Sequence, residues 1–87
     1  MSEKRLAELT AKLSADPVNQ EVLKELGTLY FENERYADAL ETFQKALKQN
    51  GKVPELHKVM GNVYFKQKEF TKALEEYHLA LEIDRKF

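Results

Sequence analysis

The chain has 87 residues, of which 43% are apolar and 33% charged, and it has no cysteine. This length is enough for one small folded domain. The absence of cysteine excludes a disulfide framework and a thiolate metal site. A net charge of −1 argues against a general nucleic-acid binder, and the lack of a secretory signal or a long apolar run favours a cytoplasmic location without a membrane span.

Charge is divided unevenly along the chain. Residues 1–43 carry nine acidic and five basic residues, a net of −4, whereas residues 44–87 carry six acidic and nine basic residues, a net of +3. The two interpretations are a molecule that is dipolar along its axis and an ordinary mixed surface.

The first predicted helix spans residues 3–14, where Leu6, Leu9 and Leu13 form one apolar stripe among charged residues. Asp16 and Pro17 then predict the N-cap and the first position of a second helix over residues 17–32.

A polar segment at residues 32–35 predicts a tight turn into a third helix over residues 37–49. Asn50 and Gly51 predict its C-terminus, with a residue in the left-handed conformation. Pro54 opens a fourth helix over residues 54–66, and a fifth is expected over residues 70–84, after a turn that matches the first one.

Residues 17–50 and 51–84 are two copies of a 34-residue unit, because aligning them without gaps gives ten identities where about two are expected by chance. The identical residues of the first copy are Glu21, Lys24, Gly27, Tyr30, Phe31, Ala39, Leu40, Glu41, Ala46 and Leu47. The first helix matches the second half of a unit. The sequence therefore predicts a half-repeat followed by two whole repeats, with residues 85–87 as a tail.

Glycine occurs inside two of the predicted helices, at Gly27 and Gly61. Each is expected to reduce helix stability by roughly 1 kcal/mol relative to alanine. Neither belongs to a phosphate-binding pattern, so both predict a close crossing of two helices.

The repeat resembles the tetratricopeptide repeat family, whose unit is a 34-residue helix–turn–helix. The residues of the first copy that carry the resemblance are Leu26, Gly27, Tyr30, Tyr36, Ala39, Phe43 and Ala46. Those of the second copy are Met60, Gly61, Tyr64, Phe70, Ala73, Tyr77 and Ala80. The large aromatic residue usual near the start of the first helix is replaced by Leu23 and His57.

The resemblance implies an all-α fold, a right-handed superhelical stack of antiparallel helix pairs in one domain over residues 1–87. It also implies a non-enzymatic interaction module or scaffold that binds a peptide or helix in a concave groove. The predicted groove residues are Glu21, Lys24, Thr28, Phe31, Glu55, Lys58, Asn62 and Phe65.

Lys58 and Asn62 are similar to the start of a carboxylate clamp of the co-chaperone kind, whereas the first copy has Thr28 in place of the asparagine. The alternative is that Lys58 and Asn62 are ordinary solvated residues. Phe31 and Phe65 are interpreted either as groove anchors or as packing against neighbouring helices.

Chemistry other than binding has little support. His57 and His78 lie 21 residues apart without a ligand motif, and no nucleophilic triad is evident. We expect no catalytic residue, no metal and no cofactor. RNA binding is a weak alternative, since the basic half lacks an arginine and aromatic stripe.

The pattern stops without a capping helix after the fifth helix. Leu74, Tyr77, Leu81 and Phe87 are therefore predicted to leave an apolar edge. The edge suggests a homo-oligomer, formed head to tail or by two-fold pairing, with the end charges favouring the first geometry. A further interpretation is that the chain is an excerpt of a longer repeat protein.

Overall fold

The computed structural model of the protein describes residues 3–85, which form α-helices and no strands. The helices are α1 Glu3–Ala15, α2 Gln20–Glu32, α3 Tyr36–Leu47, α4 Pro54–Lys66 and α5 Phe70–Ile83. This confirms the predicted all-α fold of five helices. Helices α2 and α3 form one antiparallel pair and α4 and α5 the next, while α1 packs on α2.

The predicted start of α2 is wrong by three residues. The helix begins at Gln20, and its N-cap is Asn19, whose Oδ1 accepts a hydrogen bond from the backbone N–H of Val22 at 3.1 Å. The backbone carbonyl of Asp16, and not its side chain, accepts a hydrogen bond from the backbone N–H of Asn19 at 3.2 Å. Pro17 therefore lies in a turn that precedes the helix.

The left-handed residues lie at the two hairpin turns and not at Asn50 or Gly51, where one such residue was predicted. Glu34 has φ 61° and Lys68 has φ 63°, whereas no described glycine has a positive φ. At the end of α2 the backbone N–H of Arg35 donates to the carbonyl of Tyr30 at 2.9 Å. The same bond recurs one period later, so both turns close as Schellman motifs.

Helix α3 also ends two residues earlier than predicted, at Leu47. Lys48 follows in a right-handed helical conformation, φ −62° and ψ −25°. The chain from there to α4 is therefore a short connection without a left-handed cap.

The two internal glycines lie where the helices of each pair cross. A Cβ atom added to Gly27 would stand 2.5 Å from Cε1 of Phe43, and one added to Gly61 would stand 2.6 Å from Cε1 of Tyr77. Both distances are far below van der Waals contact, which confirms the predicted close approach.

The buried core is centred on the first repeat. Its main cluster, the central cluster, joins α2, α3 and α4 and consists of Leu23, Ala39, Phe43, Ala46, Leu56, Met60 and Val63. A smaller cluster of Leu9, Val22 and Leu26 holds α1 on α2. Helix α5 buries only Ala73 and Ala80, so its predicted apolar face is only partly used inside the chain.

Candidate interaction surfaces

The two repeats differ in the exposure of one apolar surface, which runs from the end of the first helix along the second helix. In the second repeat this surface consists of Phe65, Phe70, Leu74, Tyr77 and Leu81, which we call the edge strip. Its counterparts one period earlier, the covered strip, are Phe31, Tyr36, Leu40, Phe43 and Leu47.

The edge strip faces solvent. Its exposed fractions are 55% for Phe65, 52% for Phe70, 68% for Leu74 and 43% for Leu81, and Tyr77 is half-buried. In the covered strip Phe43 is 1% exposed, and the other four residues pack against the central cluster, which includes the buried face of α4. Among the described helices α3 contacts both α2 and α4, whereas α5 contacts α4 alone, so the edge strip lacks the second neighbour that the covered strip has.

Each strip contains one pair of neighbouring aromatic rings. The rings of Phe31 and Tyr36 have centroids 5.8 Å apart, and those of Phe65 and Phe70 have centroids 5.4 Å apart in an edge-to-face arrangement. The aromatic pair of the edge strip thus keeps nearly the same ring separation as its counterpart in the covered strip.

A depression with a cavity volume of about 290 Å³ lies on the edge strip between α4 and α5, lined by Lys58, Tyr77, Ala80 and Leu81. The Tyr77 hydroxyl donates to Oδ1 of Asn62 at 2.6 Å, and burial raises the pKa of Tyr77 above its ordinary value. Because the Tyr77 hydroxyl is bonded to Asn62, the wall of the depression is apolar apart from Lys58.

The first helices of the two repeats are joined by an ion pair. Nζ of Lys24 donates to Oε2 of Glu55 at 3.0 Å, and Oε2 of Glu21 lies 3.7 Å from the same nitrogen. The hydrogen bond to Glu55 raises the pKa of Lys24, against the opposing effect of burial. Three predicted groove residues are thus brought together, and the ammonium group of Lys24 is already engaged by two carboxylates.

The remaining groove residues do not form one cluster. Thr28 donates from its hydroxyl to the carbonyl of Lys24 at 2.9 Å. Phe31 is half-buried beside Tyr36, and Asn62 is held by Tyr77. Lys58 and Phe65 belong to the edge side of the molecule instead. Of the predicted edge residues, Leu74, Tyr77 and Leu81 lie on the edge strip, and Phe87 is outside the described residues.

The histidines take part in contacts within the chain. Nδ1 of His57 lies 2.8 Å from Oε2 of Glu76 and its Nε2 lies 3.2 Å from the carbonyl oxygen of Gly51, so His57 ties α4 to α5. His78 lies 3.0 Å from Glu82 on the same helix. Over residues 3–85 no three histidine, cysteine or carboxylate side chains come together as metal ligands would.

The front end of the molecule differs from the edge strip. Large exposed hydrophobic residues occur in the α1–α2 turn at Val18 and on the second repeat, but α1 has none. At the positions that match Ala39 and Ala46, α1 carries Arg5 and Lys12. Arg5 forms ion pairs with Glu8 and Glu25. The outer side of α1 is therefore polar.

None of the helices in the described part of the chain is long and apolar enough to cross a lipid bilayer.

A tetratricopeptide repeat model matches residues 6–86, which is nearly the whole chain. The chain belongs to the tetratricopeptide repeat family. Members of this family are typically protein-interaction scaffolds, which agrees with a surface-presenting helical stack. No curated protein sequence matches the chain significantly.

Solved structures of MamA share this tetratricopeptide fold. One MamA crystal structure aligns with a TM-score of 0.85 at 25% identity over 91% of the chain and 46% of its own length. MamA from MSR-1 aligns with a TM-score of 0.83 at 26% identity over 90% of the chain and 45% of its own length. MamA from Desulfovibrio magneticus RS-1 has a TM-score of 0.83 at 23% identity over 90% and 44%, a likeness of fold alone. The chain spans about half the length of these structures.

Two edge-strip residues, Phe65 and Phe70, were not assigned to the edge from the sequence, and Phe65 was predicted to lie in the groove. The repeat pattern interprets Phe70 as the aromatic residue that opens the second helix. The signal was available, since Phe70 is the counterpart of Tyr36 and directly follows the turn after Phe65. Only the difference in burial between the two repeats shows that Phe70 is an exposed residue of the edge strip.

Proposed function

We propose that this protein is a non-catalytic interaction module that binds an α-helical segment of another protein on the edge strip. One observation carries the proposal: the covered strip of the first repeat packs in and on the central cluster, to which α4 contributes Leu56, Met60 and Val63, whereas the edge strip is exposed. Exposed apolar patches of this kind mark interaction sites, and docking the apolar face of an amphipathic helix is a common recognition mode.

The test compares three baits: the wild-type protein, Leu74→Glu and Leu79→Glu, incubated with extract of the source cell and analysed by quantitative mass spectrometry. Leu79 is the matched control, since it is also an exposed leucine of α5. Its counterpart one period earlier is the exposed Lys45, so this position is not part of the helix-stacking surface.

Specific partners should be retained by the wild type and by Leu79→Glu and be depleted about tenfold or more by Leu74→Glu, because a docked helix would bury the new carboxylate. Circular dichroism of the three proteins checks that each is folded. Partners recovered equally by all three baits would contradict binding at the edge strip.

Peptide binding along α2 and α4 is the second candidate. The Lys24–Glu55 ion pair supports it, because this pair holds the two first helices side by side. Glu21 is exposed and lies beside this pair, with its Oε2 3.7 Å from Nζ of Lys24. Partners lost by Glu21→Lys and kept by Leu74→Glu would favour this groove over the edge strip.

A further inference from the structure

The same chain contains a template for a helix that covers the edge strip, since α4 contributes Leu56, Met60 and Val63 to the cluster on which the covered strip packs. Building on the proposed function, we infer that the partner presents a helix with the pattern of α4, on a different polypeptide. That pattern begins with an acidic residue in the first turn and a leucine directly after it. A bulky apolar residue follows four positions after the leucine, and another follows three positions after that. In α4 these residues are Glu55, Leu56, Met60 and Val63.

The acidic residue is inferred from the ion pair between the repeats. Lys24 on α2 donates to Glu55, the acidic residue in the first turn of α4, at 3.0 Å. Lys58 is the counterpart of Lys24, is exposed, and lines the depression on the edge strip. A helix docked as α4 is docked would bring its first-turn carboxylate to Lys58. An acidic residue there also suits the positive end of the helix dipole.

The positions of the apolar residues on the docked helix are inferred from the residues that α4 buries. Leu56 and Val63 are fully buried and Met60 is 3% exposed, all within the cluster that contains Phe43 and Ala46. The counterparts of Phe43 and Ala46 are Tyr77 and Ala80, which line the depression. The leucine after the acidic residue would therefore face this depression.

A second copy of the chain fits this surface less well. Helix α4, which has the required pattern, already buries its apolar face inside the protein, and so does α2, in which Val22 stands in place of the leucine. Helix α5 has no acidic residue in its first turn, and α1 exposes no large hydrophobic residue. Head-to-tail stacking, which the end charges suggested, would set the polar outer side of α1 against the edge strip.

The experiment uses a synthetic peptide with the sequence of residues 53–67 as the probe, titrated into the ¹⁵N-labelled full chain and followed by NMR. The backbone amides of α5 around Leu74 and Leu81 should shift on binding. Lys58→Glu should raise the Kd about two- to fivefold, the range of a single exposed ion pair. A peptide with Glu55→Lys should recover that loss, and Leu79→Glu should bind as the wild type does.

Three results would overturn the inference. If Lys58→Glu left the Kd unchanged, the inferred contact between Lys58 and a first-turn carboxylate would be wrong, although helix docking would stand. If no shift occurred up to about 1 mM peptide, the α4-like pattern would be wrong, while the proposed function would still be tested with cellular partners. If sedimentation equilibrium showed a dimer that Leu74→Glu dissociates, the occupant would be a second copy.

Discussion

Gly27 and Gly61 each allow an aromatic ring to lie directly against a helix backbone. Phe43 and Tyr77 occupy the space that a methyl group would need, at separations that real Cβ atoms essentially never show. The glycine therefore lowers helix propensity but permits the crossing that closes each hairpin. This role was predictable from the sequence, because the glycines and the aromatic residues recur at the same spacing.

We expect Gly27→Ala to lower the free energy of unfolding by about 1–2 kcal/mol, since overpacking exceeds the gain in helix propensity. Gly61→Ala should have a smaller effect, because Tyr77 is only half-buried and its ring can shift. Urea unfolding monitored by circular dichroism measures both.

Gly51→Ala is the control for these two substitutions. The nearest atom to its added Cβ is the carbonyl oxygen of Leu47 at 3.8 Å, an ordinary contact. It should be neutral or slightly stabilising. A Gly27→Ala protein as stable as the wild type would contradict the packing account.

His57 shows what a single residue in the sequence does not reveal. Its partner Glu76 is 19 residues away on another helix, and the two side chains lie 2.8 Å apart. Their counterparts one period earlier, Leu23 and Thr42, are both buried. The second repeat therefore has a polar pair at positions where the first has an apolar and a neutral residue, and neither histidine nor glutamate alone predicts that pairing.

At the level of helices, the number of elements followed from periodicity, but two boundaries depended on competing local bonds. Asp16 and Asn19 are both good N-cap residues, and in the structure Asn19 takes the position, since its side chain accepts the backbone N–H of Val22. The left-handed positions are taken by Glu34 and Lys68, which the usual preference for glycine would not select.

Matched leucines on α3 and α5 test whether α4 is what distinguishes the two strips. Leu40→Ala should lower the free energy of unfolding by about 2 kcal/mol, because its side chain packs on the central cluster. Leu74→Ala should change it by less than about 0.5 kcal/mol, because Leu74 is 68% exposed. Equal losses measured by urea unfolding would mean that Leu74 is also covered in solution.

For the whole molecule, the two ends of the stack are unlike. The sequence predicted the repeat number and the apolar edge, since both follow from residue type and spacing. It did not predict that Lys24 is held by Glu55, or that Phe31 is covered while Phe65 is exposed. Those outcomes depend on whether another helix packs beside each residue, and the two copies of the repeat differ in that respect.

Attaching a further helix after α5 tests the claim that the edge strip is a docking surface for a helix. A copy of residues 54–67 attached directly after Phe87 keeps the 34-residue spacing and would follow α5 as α4 follows α3. Neighbouring repeats stabilise each other through their interfaces. The matched variant carries the same extension together with Leu74→Glu.

The decisive measurement is the Tm of the extended chain, compared with the wild type and with the matched variant. We predict a rise of at least about 4 °C, the shift that 1 kcal/mol produces in a domain of this size, and its loss on Leu74→Glu. Leu74→Glu without the extension should leave the Tm nearly unchanged. An extended chain that melts at the wild-type temperature would contradict the account.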